Sequence, residues 1–318
     1  MSYTIATFYK FVTISDLKTK RHQIIAACKE NKIKGTIILA AEGINGTIAG
    51  SKKAIANILM FLRGFESLAD LDRKESIAQE PPFIRLKVKI KSEIVTLGIP
   101  EVNPNQQVGT YVDPQDWNQV ISDPEVVVID TRNDYEVEIG SFKRAKNPDT
   151  ESFREFPEYI ADNLDPTEHS KVAMFCTGGI RCEKASSYML SQGFKEVYHL
   201  KGGILKYLEN IPPEESLWEG ECFVFDERVA VKEGLQPGTH ELCYACGHPV
   251  SEADRQSPQY EAHISCPYCY HELTPEKKAR QEDRRRQREQ KKLRNEERRI
   301  RNEERGIRNE EQGMRNGE

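Results

Sequence analysis

No stretch of this 318-residue chain is apolar enough for a helix to cross a bilayer: the longest run, residues 36–41 with its neighbours, falls far short of the ~20 residues such a helix needs. A helical membrane span is excluded. Residues 1–12 have neither a basic start nor an apolar run followed by a cleavage site, so no secretory signal is expected, and the chain is expected to work in the cytoplasm. Cysteine is scarce. Eight thiols are far too few to staple a disulfide-framed fold, and a reducing compartment leaves them as thiols or metal ligands. Apolar residues make up only 37% of the chain, which predicts two or three modest domains instead of one large core. The sequence has no His-x-Asp or His-x-Glu pair for a facial-triad iron site and no flavin, haem or nicotinamide signature. Cysteine chemistry is what remains.

The formal net charge of −5 conceals a partition. Residues 1–100 carry +7 (16 basic, 9 acidic), residues 101–274 carry −17 (14 basic, 31 acidic) and residues 275–318 carry +5 (16 basic, 11 acidic). A basic beginning beside an acidic centre is expected where nucleic acid is gripped at one end and chemistry occurs elsewhere. Chance surface composition is the plain alternative.

Apolar runs at residues 4–12, 35–41 and 46–49 predict strands. Between the strands, Ser15 is placed to cap a helix carrying Leu17, Ile24, Ile25 and Cys28, and Ser51 one carrying Ile55, Ile58, Leu59 and Leu62. The segment Glu42-Gly43-Ile44-Asn45-Gly46 offers an Asn-Gly hairpin turn. The order of strand, helix, strand, strand, helix, strand predicts a ferredoxin-like α+β domain over residues 1–98. In its expected last strand, Arg85, Lys87, Lys89 and Lys91 alternate with Ile84, Leu86, Val88 and Ile90, which puts the cations on one face and the apolar residues on the other. Such a row would bind RNA phosphates. A lysine-guarded edge strand gives the same pattern, and the regional excess of base favours RNA.

Residues 99–112, rich in Pro, Asn and Gln, form an expected linker. Over residues 113–217 the pattern turns to α/β with a parallel sheet: a capped helix over 113–120, β-branched strands at 125–130 and 171–175, a helix over 182–192, a strand at 196–200 and a Gly202-Gly203 turn. Directly after the second of these strands come Cys176, Thr177, Gly178, Gly179, Ile180 and Arg181. A thiol that opens a glycine-containing loop at a helix amino terminus meets converging main-chain amides and the positive end of the helix dipole, which favour its thiolate. Arg181 adds a fixed charge. A buried structural cysteine is the alternative, although two glycines and an arginine are poor core neighbours.

Over residues 110–215 the sequence resembles the rhodanese superfamily, with Asp130-Thr131-Arg132, the Cys176 loop and Gly202-Gly203 in family order. The resemblance implies that Cys176 is the nucleophile, that Thr177, Gly178, Gly179, Ile180 and Arg181 line an anion cradle, and that a loop of this length suits persulfide chemistry better than phosphatase chemistry. Cys182 departs from a minimal rhodanese loop and is either a candidate resolving thiol or the start of the helix.

Cys243-x-x-Cys246 and Cys266-x-x-Cys269, nineteen residues apart, have the spacing of a four-thiolate structural zinc site within a Cys-rich segment expected over 218–274. His248 and His263 lie nearby as substitutes, and a pair of metal-free dithiols is the alternative reading. Beyond Thr274 a charged tail, helical or disordered, spans 275–318. It carries Leu293, Ile300, Ile307 and Met314 at seven-residue spacing, too narrow a seam for a coiled coil, with Glu297 and Glu304 four residues before Arg301 and Arg308. An auxiliary RNA-binding arm is the sharper reading of this tail.

Taken together, the 41–46 motif, the 176–184 motif and the Cys pairs resemble the bacterial TrhO (YceA) family of tRNA uridine hydroxylases over residues 1–272. The resemblance implies oxygen-dependent formation of 5-hydroxyuridine at the wobble position, molecular oxygen as co-substrate, and tRNA, not DNA, as the partner. A sulfurtransferase carrying a Cys176 persulfide, or an RNA-binding protein without catalysis, are the competing readings.

Overall fold

The computed structural model describes residues 2–290 together with 293, 294, 297 and 301. The chain forms two compact units, Met1–Thr239 and His240–Glu318.

The first unit opens with β1 (Tyr3–Phe11), α1 (Leu17–Glu30), β2 (Lys34–Ala40), β3 (Gly43–Gly50), α2 (Lys52–Arg63), β4 (Lys74–Ala78) and β5 (Leu86–Ile90). Its sheet runs β4-β1-β3-β2-β5, and the first four are antiparallel neighbours in the split α+β arrangement. Helices α1 and α2 cover one face through a core that includes Phe8, Ile37, Leu39, Ile44, Ile48, Ile55, Ile58 and Leu62. Burying each large side chain of this kind is worth roughly 1.5–3 kcal/mol. The other face, bearing Tyr9 and Phe11, packs with Ile94 and Val95 and meets Ile180 of the following domain.

Several local expectations change. The strand that closes the split pattern is β4, which lacks the strong apolar alternation that would mark it in the sequence. The cationic strand is an additional edge strand, β5, parallel to β2. Only Val88 of its apolar set is buried, while Ile84 and Ile90 are 56% and 40% exposed, because the helical layer reaches only the middle of this outermost strand. The β2–β3 turn lies at Ala41-Glu42, and Asn45-Gly46 sits inside β3. Gly46 is required there by the Phe8 ring, which would lie 2.8 Å from any Cβ. Ser51 caps α2 by accepting the Ala54 N–H at 3.2 Å. Ser15 caps nothing: the residue ahead of α1 is Asp16, in the left-handed region with no side-chain cap.

The chain continues with β6 (Thr110–Val112), α3 (Pro114–Ser122), β7 (Val126–Asp130), α4 (Asp134–Val137), β8 (Gly140–Phe142), α5 (Phe156–Asn163), β9 (Lys171–Phe175), α6 (Ile180–Ser191), β10 (Glu196–Leu200) and α7 (Gly203–Asn210). Strands β6-β10-β9-β7 form a parallel sheet. Every residue of β9 after Lys171 is buried, as a central parallel strand between helical layers requires. Then follow β11 (Trp218–Gly220), β12 (Cys222–Phe223), β13 (Ala230–Lys232) and β14 (Gln236–Pro237). The boundary expected at residue 217 falls inside this packing. Trp218, Cys222, Val224 and Val231 share a core with Trp117, Phe142, Phe175 and Tyr207, and β11 pairs with β8, so residues 218–239 belong to the first unit and not to the cysteine-rich segment.

The second unit holds the hairpin β15 (Glu241–Leu242) and β16 (Pro249–Val250), the short helix α8 (Glu252–Gln256), and an exposed helix over 275–290. Cys243, Val250 and Cys266 form its small core. Leu293 is 65% exposed, as a solvated tail requires. Ile300, Ile307, Met314, Glu304 and Arg308, named above for their spacing, lie outside the described residues.

Candidate active site

Cys176 follows the last residue of β9 and is 1% exposed. The chain can turn there because Gly179 adopts φ 101°, a conformation disfavoured for residues with a side chain. The Gly179 N–H then donates to Cys176 Sγ at 3.1 Å. The loop is braced from behind by the amino terminus of α7, where the Ile204 and Leu205 amides donate to the carbonyls of Cys176 and Thr177 at 3.0 and 3.1 Å. Gly203 makes this approach feasible, since a Cβ there would sit 2.4 Å from the Cys176 oxygen.

Burial by itself pushes a thiol pKa up. At Cys176 it is outweighed by a hydrogen bond from Cys182, the charge of Arg181, and the backbone amides of Cys182 and Gly179, so the thiol is held well below its ordinary value. Cys182 is shifted the opposite way, by burial and by the neighbouring anion. The two thiols are thus pushed in opposite directions, Cys176 toward the anion and Cys182 toward the protonated form. Thr131 Oγ1 lies 3.5 Å from Cys182 Sγ and donates to the Phe175 carbonyl at 3.0 Å, which ties the second thiol to the end of β9.

Arg181 does not stand open to solvent. Its guanidinium makes a bidentate contact with Glu136, at 2.7 and 2.8 Å, and is 7% exposed. Glu136 is fully buried, and although burial raises its pKa, Arg181 holds it below the usual carboxylate range. Thr177 Oγ1 approaches the same carboxylate at 3.4 Å. Ile180 packs toward the amino-terminal domain. Of the expected cradle, then, Gly179 turns its amide on the sulfur, while Thr177 and Arg181 engage Glu136. The Asp130-Thr131-Arg132 group is structural: Arg132 and Asp130 form a fully buried pair at 2.6 Å, and Arg132 also donates to the Glu136 and Gly140 carbonyls.

The sequence reading missed Glu136, whose signal was the Asn133-x-x-Glu136 capping box that opens α4. It also missed Glu183, Tyr9, Tyr111 and Lys74. Tyr9, on β1, donates to Glu183 at 2.7 Å. Burial raises the Glu183 pKa; hydrogen bonds from Tyr9 and Tyr111 oppose this, the Cys176 charge adds to it, and the net shift is upward. Lys74, at the start of β4, donates to the Gly178 carbonyl at 2.6 Å. No sequence pattern marks Tyr9, Lys74 and Tyr111, because they come from strands more than 60 residues away, and Glu183 on α6 gains its partners only through them.

Arg85, Lys87, Lys89 and Lys91 lie apart from the cysteine loop. The first three line a groove of about 680 Å³ between α1 and β5, together with Arg21, Lys29, Lys32 and Lys34.

In the second unit the sulfurs of Cys243, Cys246, Cys266 and Cys269 all lie within 4.8 Å of one another. The separations are 3.7 Å for Cys246 and Cys266, 3.8 Å for Cys266 and Cys269, and 4.0 Å for Cys243 and Cys269. Four thiolates around one zinc at ~2.3 Å would sit about 3.8 Å apart, so this donor set suits a tetrahedral ion. His248 stacks on Tyr268 and His263 on Tyr244, and neither histidine joins the four-sulfur group.

Residues 3–94 match the UPF0176 acylphosphatase like domain family, and residues 113–210 match the rhodanese-like domain family. Fold and site together define a rhodanese-like protein with an acylphosphatase-like domain ahead of the cysteine loop. A tRNA uridine(34) hydroxylase from Picosynechococcus sp. is 62% identical over 280 residues, covering 88% of this chain and 94% of the relative. Another tRNA uridine(34) hydroxylase, from Teredinibacter turnerae, is 56% identical over 285 residues, covering 90% and 89%. Among solved structures, the rhodanese-like domain of an Anabaena sp. protein aligns with a TM-score of 0.29 at 17% identity, covering 35% of this chain and 78% of that one. The chain belongs to the tRNA uridine(34) hydroxylase family.

Proposed function

We propose that the protein hydroxylates uridine 34 of tRNA at C5, giving 5-hydroxyuridine, with Cys176 as the nucleophile and molecular oxygen as co-substrate. The observation that carries this reading is the buried Cys176 sulfur at the head of its loop, accepting the Gly179 N–H at 3.1 Å, an environment that lowers its pKa. A thiolate of this kind adds to C6 of a uracil and moves an electron pair to C5. That pair attacks a peroxide-level oxidant, formed from oxygen and two electrons of an external reductant, so that a C–O bond forms, the O–O bond breaks and water leaves after protonation. Loss of the C5 proton then expels the thiolate and restores the ring double bond. Glu183, whose raised pKa favours proton capture, is the carboxyl beside the sulfur suited to take that proton.

The cationic groove of Arg21, Lys29, Lys32, Lys34, Arg85, Lys87 and Lys89, with Lys91 directly after β5 in the sequence, supplies the phosphate-binding track for tRNA. Zinc on Cys243, Cys246, Cys266 and Cys269 would close a four-coordinate structural site and stabilise the second unit. A tRNA substrate puts the work of the protein in the cytoplasm, in keeping with the absence, among the described residues, of a helix long and apolar enough to cross a membrane. Nucleoside mass spectrometry of tRNA from cells with and without the protein tests the proposal. Added oxygen at uridine 34 is expected; added sulfur there would instead establish the sulfurtransferase, and no change would refute both.

A further inference from the structure

The peptide unit between Gly178 and Gly179 has partners at both ends, on opposite sides of a domain interface. Its N–H, belonging to Gly179, donates to Cys176 Sγ at 3.1 Å. Its C=O, belonging to Gly178, accepts from Lys74 Nζ at 2.6 Å. Lys74 sits on β4, opposite Thr7 of β1, in the amino-terminal domain. Because a peptide is planar and its N–H and C=O point in opposite directions, fixing one end fixes where the other points. A flanking glycine on each side leaves this unit little intrinsic preference, so its orientation depends on what holds it.

We propose that Lys74 is a positioning residue for Cys176: by gripping the Gly178 carbonyl from the neighbouring domain, it aims the Gly179 amide at the sulfur, so that docking of the amino-terminal domain completes the anion cradle. The ammonium also adds a positive charge near the sulfur. The interface is built for this reach. A Cβ on Gly178 would come within 4.0 Å of Lys74 Nζ, and one on Gly179 within 3.0 Å of the Tyr9 hydroxyl. The charged and titratable groups acting on the sulfur are Arg181, Cys182 and Glu183 from α6, Lys74 from β4, Tyr9 from β1 and Cys222 from β12. Among them Lys74 is the cation supplied by the other domain; burial draws its own pKa down to about 8, and the Cys176 charge opposes that shift. The inference deepens the reading of Cys176 as a reactive thiolate and does not depend on which modification the enzyme makes.

The test is the pH profile of iodoacetamide labelling of Cys176 in the full-length protein without tRNA, read on the Cys176 side chain by fragment mass spectrometry so that the other thiols do not contribute. Lys74→Met is expected to raise the Cys176 midpoint by about one pH unit, and Lys74→Arg, which keeps a charged donor, to bring it back toward wild type. If the methionine variant loses its fold by circular dichroism, Lys74→Gln replaces it. An unchanged midpoint in the folded neutral variant overturns the proposal. Nucleoside analysis is a separate experiment, so a wrong substrate and a wrong role for Lys74 give different results.

Discussion

The ammonium of Lys184, on α6, lies 2.8 Å from the carboxylate of Glu42 at the β2–β3 turn. It also contacts Glu93 at 2.6 Å and the Val95 carbonyl at 3.2 Å, with the lysine side chain only 1% exposed. Two short motifs, whose paired residues lie 142 positions apart, are thus the halves of one joint. Lys184→Met would leave two carboxylates facing each other without their cation, at a cost of about 3 kcal/mol and a fall in Tm of roughly 6–12 °C, measured by thermal melting. Burial alone would raise the Glu93 pKa, but the Lys184 hydrogen bond and the Leu97 amide hold it low. A carboxyl depressed in the folded state contributes stability above its unfolded pKa and loses it as the pH falls through the folded one, so this contribution is expected to start fading at the ordinary glutamate pKa of about 4.3 and to be gone once the pH passes the lowered one.

Cys176 is expected to react as an anion at neutral pH. Its pKa is lowered in the folded protein, so iodoacetamide labelling at this position should change little between pH 7 and 8.5, whereas an ordinary thiol of pKa ~8.5 speeds up more than tenfold across that span. Peptide mass spectrometry reads the site. Cys176→Ser should lose 5-hydroxyuridine formation; a normal rate in that variant would refute the nucleophile.

Cys182 can be assigned by comparing two substitutions. As a hydrogen-bond donor to the Cys176 anion, it should be replaced adequately by Cys182→Ser, while Cys182→Ala raises the Cys176 pKa and slows turnover. As a resolving thiol, it would make both variants equally inactive in multiple-turnover assays.

One zinc per chain is expected by elemental analysis. Cys266→Ser, which removes one of four ligands from a buried position, should abolish it. If the four-sulfur group holds a structural ion, chelation should destabilise the second unit and leave the labelling rate of Cys176 unchanged.

Neutralising Lys87 and Lys89 to Gln should weaken tRNA binding at low salt and shrink the slope of log affinity against log salt by roughly 1.5, as the loss of two phosphate contacts predicts. A filter-binding series across salt concentrations measures it. An unchanged slope would mark β5 as an edge strand guarded by its charges and nothing more.

Much of the scaffold was legible from local chemistry. Residues 171–175 and 196–200 announce buried strands through β-branched and apolar runs, Ser51 announces a helix start, and the two C-x-x-C pairs announce a four-sulfur cluster. What the sequence hid is what depends on distant partners. β4, Lys-Glu-Ser-Ile-Ala, has little apolar character and is a strand because β1 pairs with it. Asn45-Gly46 has the composition of a turn, yet continues a strand because β1 and β2 pair with it on both sides, and the Phe8 ring takes the space a side chain at 46 would need. At the site the loop itself was visible, whereas Glu136, Tyr9 and Lys74 acquire meaning only when folding carries them to Arg181, Glu183 and Gly178.

Neighbouring positions on α6 serve two masters: Arg181 pairs with Glu136 and Cys182 with Thr131 of their own domain, while Glu183 and Lys184 are held by Tyr9, Glu42 and Glu93 of the other. Module exchange between distant homologues would therefore fail at this helix unless both halves travelled together. A hybrid gene taking its first hundred codons from one parent and the remainder from another inherits an intact Cys176 loop only where those parents agree on the acidic clasp.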